Sequence, residues 1–298
     1  MIFLIGSIFL STYLTIAFKI CDRFGINKFQ AIVFNYFTCL VTGAIVNGSV
    51  PAYAQNIYQP WFKWAVIMGT GFVISFNLIA FTVQKNGLAI AAVASKLSLI
   101  IPFTASIFLY NENAGAFKIT GICLALLAVV LTLYPSKTFD NKDKPNNNRL
   151  SLQFILLPLI VFLTTGFLDT LVKYVEQSFL TAANSNEYLV TAFTVAFIAG
   201  FILLVFLVAA KKIRVQLKEM LAGLLIGIPN YFSIWCLMKV LKIHPGNSSV
   251  IFPVNNLGIV LLSAILAWIV FKEHLSRLNW IGIGLSILAI LMIALGNY

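Results

Sequence analysis

Residues 87–112 read GLAIAAVASKLSLIIPFTASIFLYNE, a stretch long enough and apolar enough to cross a bilayer. It nevertheless holds Lys96 in its interior and Pro102 six residues later. A lysine at that depth costs about 2.5–3.5 kcal/mol on insertion scales. Something in the folded protein must offset it: a counter-charge, a wet cavity or a ligand.

Outward from this stretch, the composition is of one kind. Hydrophobic residues make up 60% of the 298 and charged residues 10%, against about 25% charged in an ordinary soluble domain. Apolar runs of 18 or more residues recur from end to end, and roughly ten spans fit the length. This composition excludes a soluble enzyme or a soluble binding domain and points to an integral membrane protein in contact with the lipid bilayer along most of its length. The net charge of +11 is spread singly and in small groups between apolar runs. That is the pattern of topology signals, not of a nucleic-acid surface, so no nucleic-acid partner is expected. Cys21, Cys39, Cys123 and Cys236 are widely spaced, with no CxxC pair to suggest metal or redox chemistry. The run 2–18 lacks a basic leader and a small-residue cleavage site and is read as the first helix. No Ser/His/Asp or Cys/His arrangement, phosphate loop or metal cluster is visible, so neither an enzyme nor a cofactor is expected.

Hydropathy predicts helices over 2–20, 29–48, 62–83, 88–110 and 116–134, then 150–174, 188–210, 220–241, 247–271 and 279–295. Trp61 and Trp64 read as interfacial anchors. The segment 135–149, PSKTFDNKDKPNNNR, has no apolar periodicity and divides the chain into units 1–134 and 150–298. These units repeat. A shift of 161 residues sets Glu112 on Glu273, Gly121 on Gly282, and the fourth helix on the ninth; a shift of 154 sets Lys19 on Lys173 and Asp22 on Glu176. Five helices per unit is an odd number, so the two units have opposite orientations in the membrane. Inverted repeats place a substrate site near the midplane between them. The expected fold is therefore an all-α membrane protein of ten transmembrane helices, two inverted five-helix repeats around a central cavity.

Orientation follows from the basic residues. Lys19, Arg23, Lys28, Lys85, Lys137, Lys142, Lys144, Arg149, Lys211, Lys212, Arg214, Lys218, Lys272 and Arg277 fall on one side, 14 in all, against 5 on the other: Lys63, Lys118, Lys173, Lys239 and Lys242. The richer side is cytoplasmic by this rule. Both termini are then extracytoplasmic in a multi-pass protein of the cell membrane.

Two blocks carry a family resemblance: NGLAIAAVASKLSLIIPFTASIFLYNENAGAFKITGICLALLAVVL and HPGNSSVIFPVNNLGIVLLSAILAWIVFKEHLSRLNWIGIGLSILAILMI. Each is a small-residue helix with a proline, then a short acidic turn, then a Gly-containing closing helix. The pattern resembles the drug/metabolite transporter superfamily, in its EamA-type branch, over nearly the whole chain. The resemblance implies secondary transport of small organic solutes, often by efflux, through a cavity that opens alternately to each side. The small multidrug branch of that superfamily uses a membrane-embedded glutamate in its first helix; here that helix has only Lys19 and Asp22 at its end, so that coupling mechanism does not carry over.

Candidate residues follow from the price of burying polar groups. Lys96 lies about 12 Å along its helix, beyond easy snorkelling, and reads as a contact for a substrate anion or as half of an ion pair; a structural role satisfied by carbonyls is the plain alternative. Ser95 and Ser98 flank it, and Pro102 frees a backbone carbonyl nearby. Asp169 is the other ionisable residue well inside a span. It reads as the partner of Lys96 or a coupling carboxylate, or as the local i,i+4 mate of Lys173. Asn255 and Asn256 fall opposite Ala94 and Ser95 in the repeat; Leu257 stands where Lys96 does. Asn77 and Asn230, and less strongly Asn35, are buried amides of the same kind, which either line a cavity or hold helices together. Tyr13, Phe76, Tyr231 and Trp235 read first as packing. Glu112 and Glu273 fall on opposite membrane faces and read as turn residues, Glu273 beside Lys272. With positive charge on one half only, the expected substrate is a small anionic or zwitterionic metabolite such as an amino acid, handled by a monomer or homodimer. A flippase for a lipid-linked sugar or phosphate is the alternative.

Overall fold

The computed structural model describes residues 2–47, 56–102, 104, 115–132, 152–181, 184–243, 248–273 and 275–295. Ten helices are found among them: α1 (Ile2–Arg23), α2 (Lys28–Asn47), α3 (Phe62–Asn86), α4 (Leu88–Leu97), α5 (Ala116–Thr132), α6 (Leu152–Phe179), α7 (Ser185–Ala209), α8 (Leu217–Ile243), α9 (Ser248–Ile269) and α10 (Arg277–Leu295). No strand occurs among the described residues. Six of the helices, α1, α2, α3, α6, α7 and α8, are long and apolar enough to cross a membrane; the other four contain shorter apolar stretches. Helix formation needs no special account here. In lipid every backbone N–H and C=O must be satisfied internally, and a helix does that within one segment.

Two turns depend on glycine. Gly25 (φ 60°) lets α2 follow α1, and Gly87 (φ 96°) lets α4 follow α3 after a single residue. The helices then pack in an interlocked order. α2 lies along α8 and α7, α3 along α7 and α6, and α1 along α8 and α9; α4 lies along α9 and α6, and α5 along α10. Because lipid is as apolar as leucine, such contacts are held by close packing and small residues. Two glycine seats illustrate this. A Cβ on Gly223 of α8 would meet the Ala31 carbonyl oxygen and Asn35 nitrogen of α2 at 2.9 Å, and also crowd Phe34 Cβ. A Cβ on Gly69 of α3 would meet Val195 Cβ at 2.8 Å and Ala196 nitrogen at 2.9 Å, and also crowd the Ala192 carbonyl, all on α7. Gly227, one turn beyond Gly223, sits 2.6 Å from the Asn35 carbonyl by the same measure.

Three expectations change. The fourth helix is not continuous from 88 to 110: α4 stops at Leu97 and helix resumes at Ile100, the remainder to 110 lying mostly outside the described residues. Trp61 is not an interfacial anchor but is 1% exposed, edge-on to Tyr188 at 6.0 Å; Trp64 packs on Tyr174 and Phe179. Glu273 does not merely shape its own turn, as described below. Glu112, the loop 135–149 and the side chain of Lys173 lie outside the described residues.

Candidate functional site

The break in α4 follows from Pro102. A proline lacks the N–H that would bond the carbonyl four residues back, and its ring crowds that carbonyl. Here that carbonyl belongs to Ser98. It accepts instead from the Ile101 N–H at 2.9 Å, while the Leu99 N–H reaches the Lys96 carbonyl at 3.4 Å. Both are i→i−3 bonds, so the chain tightens into a 3₁₀-like turn in which Ser98 has φ −52° and ψ −20°. The turn turns Ser98 towards α6.

α6 approaches closely because residue 166 is glycine. A Cβ there would meet Ile101 Cβ at 2.9 Å. One turn further along α6, Asp169 meets Ser98: Ser98 Oγ is 3.1 Å from Asp169 Oδ2 and 2.6 Å from the Ser95 carbonyl oxygen. One hydroxyl proton serves one of these acceptors at a time. Ser98 is fully buried, whereas Asp169 is exposed along the side of α6. Asp169 does not share the outward apolar stripe of its helix. The outward stripe of α6 is Leu156, Leu159, Leu163 and Phe167, and two residues at 100° each put Asp169 about 160° away from Phe167. Asp169 therefore lies on the side of α6 turned away from that apolar stripe, towards α4, at mid-length of the helix.

Lys96 precedes the break, half-buried. It stands two residues before Ser98, whose hydroxyl is 3.1 Å from Asp169 Oδ2, and no direct Lys96–Asp169 ion pair within 4.0 Å is found among the described residues. Ser95, also half-buried, turns its hydroxyl to the Ala92 carbonyl at 3.1 Å.

The asparagines divide. Asn255 and Asn256 are buried on α9, the helix that packs on α4, and Asn255 Oδ1 has no hydrogen-bond partner among the described residues. Asn230 lies elsewhere, in the α2–α8 seam, where its Nδ2 donates to Asn35 Oδ1 at 3.1 Å; Cys39 Sγ fills the same seam against the Gly227 carbonyl at 3.3 Å. Asn77 donates to the Val73 carbonyl at 2.8 Å and lines a cleft of about 480 Å³ with Asp22, Asn27, Lys28 and Phe81. Neither Lys96 nor Asp169 lines that cleft. The aromatics Tyr13, Phe76 and Trp235 are half-buried and Tyr231 is buried, all in one packed cluster with Phe72 and Phe232.

Sequence reasoning missed the partners of Lys19 and Glu273. The K-x-x-D motif does not close on itself: Asp22 pairs with Lys28 at 2.8 Å, and Lys19 pairs with Glu273 at 3.1 Å. No signal in the sequence names the helix end that a turn carboxylate will meet. Among the described residues no cluster of His, Cys, Asp or Glu could hold a metal ion.

Residues 149–295 match the model of the EamA-like transporter family. An uncharacterized protein of Haemophilus influenzae (strain ATCC 51907 / DSM 11121 / KW20 / Rd) is 26% identical, over 96% of this chain and 95% of its own. A solved crystal structure superposes with a TM-score of 0.60 at 16% sequence identity, covering 99% of this chain and 96% of that one. It shares the fold.

Proposed function

We propose, on the premise that residues 149–295 carry the sequence of the EamA-like transporters within the drug/metabolite transporter superfamily, that this multi-pass membrane protein exports a small anionic or zwitterionic metabolite, such as an amino acid. It does so as a secondary transporter, by alternating access between two inverted repeats, 1–134 and 150–298, joined by 135–149. The observation that carries the reading is the Lys96–Ser98–Asp169 group: a carboxylate off the apolar stripe of α6 and a half-buried lysine on α4, brought to the same turn through Ser98 but not closed on each other. Such a pair offers a carboxylate-binding cation and an ammonium-binding anion within one site. When the site is empty, Asp169 balances Lys96; when it is filled, the ligand's own charges take over. Asn255 and Asn256 supply neutral hydrogen-bonding capacity from α9, and Ser95 from α4. A role for Asn77 as a further ligand contact rests on the cleft that it lines; Asn230, bonded to Asn35, serves the site by fixing α2 against α8.

The two glycine seats support the repeat. Gly69 and Gly223 differ by 154 residues, and the atoms they face, on Ala192, Val195 and Ala196 and on Ala31, Phe34 and Asn35, differ by 161. These are the two shifts read from the sequence. Helix pairing repeats likewise, α1 on α8 as α6 on α3, and α1 on α9 as α6 on α4. The basic ends of α1, α3, α7 and α9 support a cytoplasmic face there, with both termini outside the cytoplasm of a cell membrane.

The test is transport into proteoliposomes of a metabolite chosen by a thermal-shift screen of the purified protein. Removing one partner of a charge-assisted hydrogen bond loses about 1.5–3 kcal/mol, roughly a tenfold or larger fall in affinity. Lys96→Ala and Asp169→Asn are each expected to lose that much. Full transport in both variants overturns these roles. Movement of lipid-linked substrate alone, with no water-soluble one, overturns the metabolite reading in favour of a flippase.

A further inference from the structure

The turn between α9 and α10 sends Glu273 into the first half of the molecule. Lys272, just before it, has φ 51°, a left-handed conformation that a lysine adopts only at a cost. The bend brings the Glu273 carboxylate onto the first turn of α4. Its oxygens accept from the Leu88 N–H at 2.8 and 3.1 Å and from the Ala89 N–H at 3.5 Å. Lys19 of α1 completes the set at 3.1 Å. Gly87 makes the approach possible, since a Cβ there would stand 2.8 Å from Glu273 Oε2. The arrangement is a charge-assisted cap on the positive end of a helix, with the carboxylate side chain only 12% exposed. One side chain thus joins α1, the α3–α4 link and the α9–α10 turn.

The same face carries a second set of ties. Buried Glu219 of α8 accepts from the Asn27 N–H at 3.5 Å, Lys218 donates to the Gly25 carbonyl at 3.3 Å, and Gln30 donates to the Arg214 carbonyl at 3.0 Å. Each of these bonds links the end of one helix to a helix end distant in sequence. A rocking motion of the two halves must part these ends. The start of α4 cannot leave the α9–α10 turn while Glu273 holds it.

We propose that Glu273 is a positioning residue that clamps α4, the helix carrying Lys96, and holds this membrane face closed until its bonds open in the transport cycle. The proposal rests on the transporter reading above, but its test needs no substrate. In a chain with Cys21, Cys39, Cys123 and Cys236 replaced by alanine, Thr15→Cys places a thiol one helical turn before Lys19. Labelling by a membrane-impermeant maleimide, applied from the Glu273 face in vesicles of known orientation, reports whether that face is open. Loss of the charged cap in Glu273→Gln is expected to raise the labelling rate by about fivefold or more. Lys19→Gln raises it by less, in the same direction, because the helix cap survives. Lys272→Gly relieves the left-handed strain and leaves the rate as in the parent. Unchanged labelling in a folded Glu273→Gln overturns the clamp; if that variant does not fold, Lys19→Gln decides by the same criterion. Failure to find any transported metabolite, with labelling raised as expected, would overturn the function and leave the clamp standing.

Discussion

Glycines at helix contacts in this protein fall into two physical classes, and substitution separates them. At Gly227 an added Cβ would meet Thr38 Cβ at 2.5 Å and the Asn35 carbonyl at 2.6 Å. Overpacking of that kind destabilises by about 1–3 kcal/mol, so Gly227→Ala is expected to lower the melting temperature in detergent. At Gly284 of α10 nothing lies within 4 Å of the same atom; there Gly284→Ala is expected to stabilise by roughly 0.5–1 kcal/mol by reducing backbone freedom. Equal melting shifts in the two variants would contradict this division. Gly166→Ala tests a third consequence. It is expected to push α6 away from Ile101 and so to separate Asp169 from Ser98; initial uptake rates should then fall in Gly166→Ala and in Ser98→Ala alike. At this scale Lys96 and Asp169 stand out in the sequence as candidates because a charge in an apolar span is conspicuous. Glu273 does not, because a carboxylate in a turn looks solvated until the fold supplies a helix N-terminus for it.

At the scale of the element, α4 is short because Pro102 withholds one N–H, and Ser98 is presented to Asp169 because the break falls there. Pro102→Ala restores the donor and lets the helix run through Ser98. The expected result is a more stable protein that transports more slowly, read by melting temperature and initial uptake rate together. A variant that melts higher and transports as fast as the parent would remove the break from the mechanism. The proline was visible in the sequence, yet hydropathy carried the helix on to 110, because apolar periodicity does not register a 3₁₀ turn. Elsewhere the helix limits were legible to within a few residues: the tight Gly87 link and the polar Lys211–Gln216 stretch interrupt the apolar pattern, and α6 simply runs a turn longer at Phe179 than its hydrophobicity suggests.

At the scale of the whole molecule, the basic ends of α1, α3, α7 and α9 predict that a reporter fused after Tyr298 is active outside the cytoplasm and silent inside; the opposite result reverses the topology. The sequence argues for a repeat through two motifs that recur at fixed shifts. The choice of partners for each helix could not be read from it, since one apolar stripe is much like another until small residues such as Gly69 and Gly223 meet a particular backbone. The partner pattern has a consequence for synthesis. α2 settles on α8, α5 on α10, and α3 on α6 and α7, so the first five helices enter the membrane before most of their permanent neighbours exist. Until translation reaches the eighth helix Asn35 lacks Asn230, and until it passes residue 273 Lys19 lacks its carboxylate. The nascent first half must wait in lipid with these groups unanswered, and assembly can be completed only when the last turn of the chain arrives.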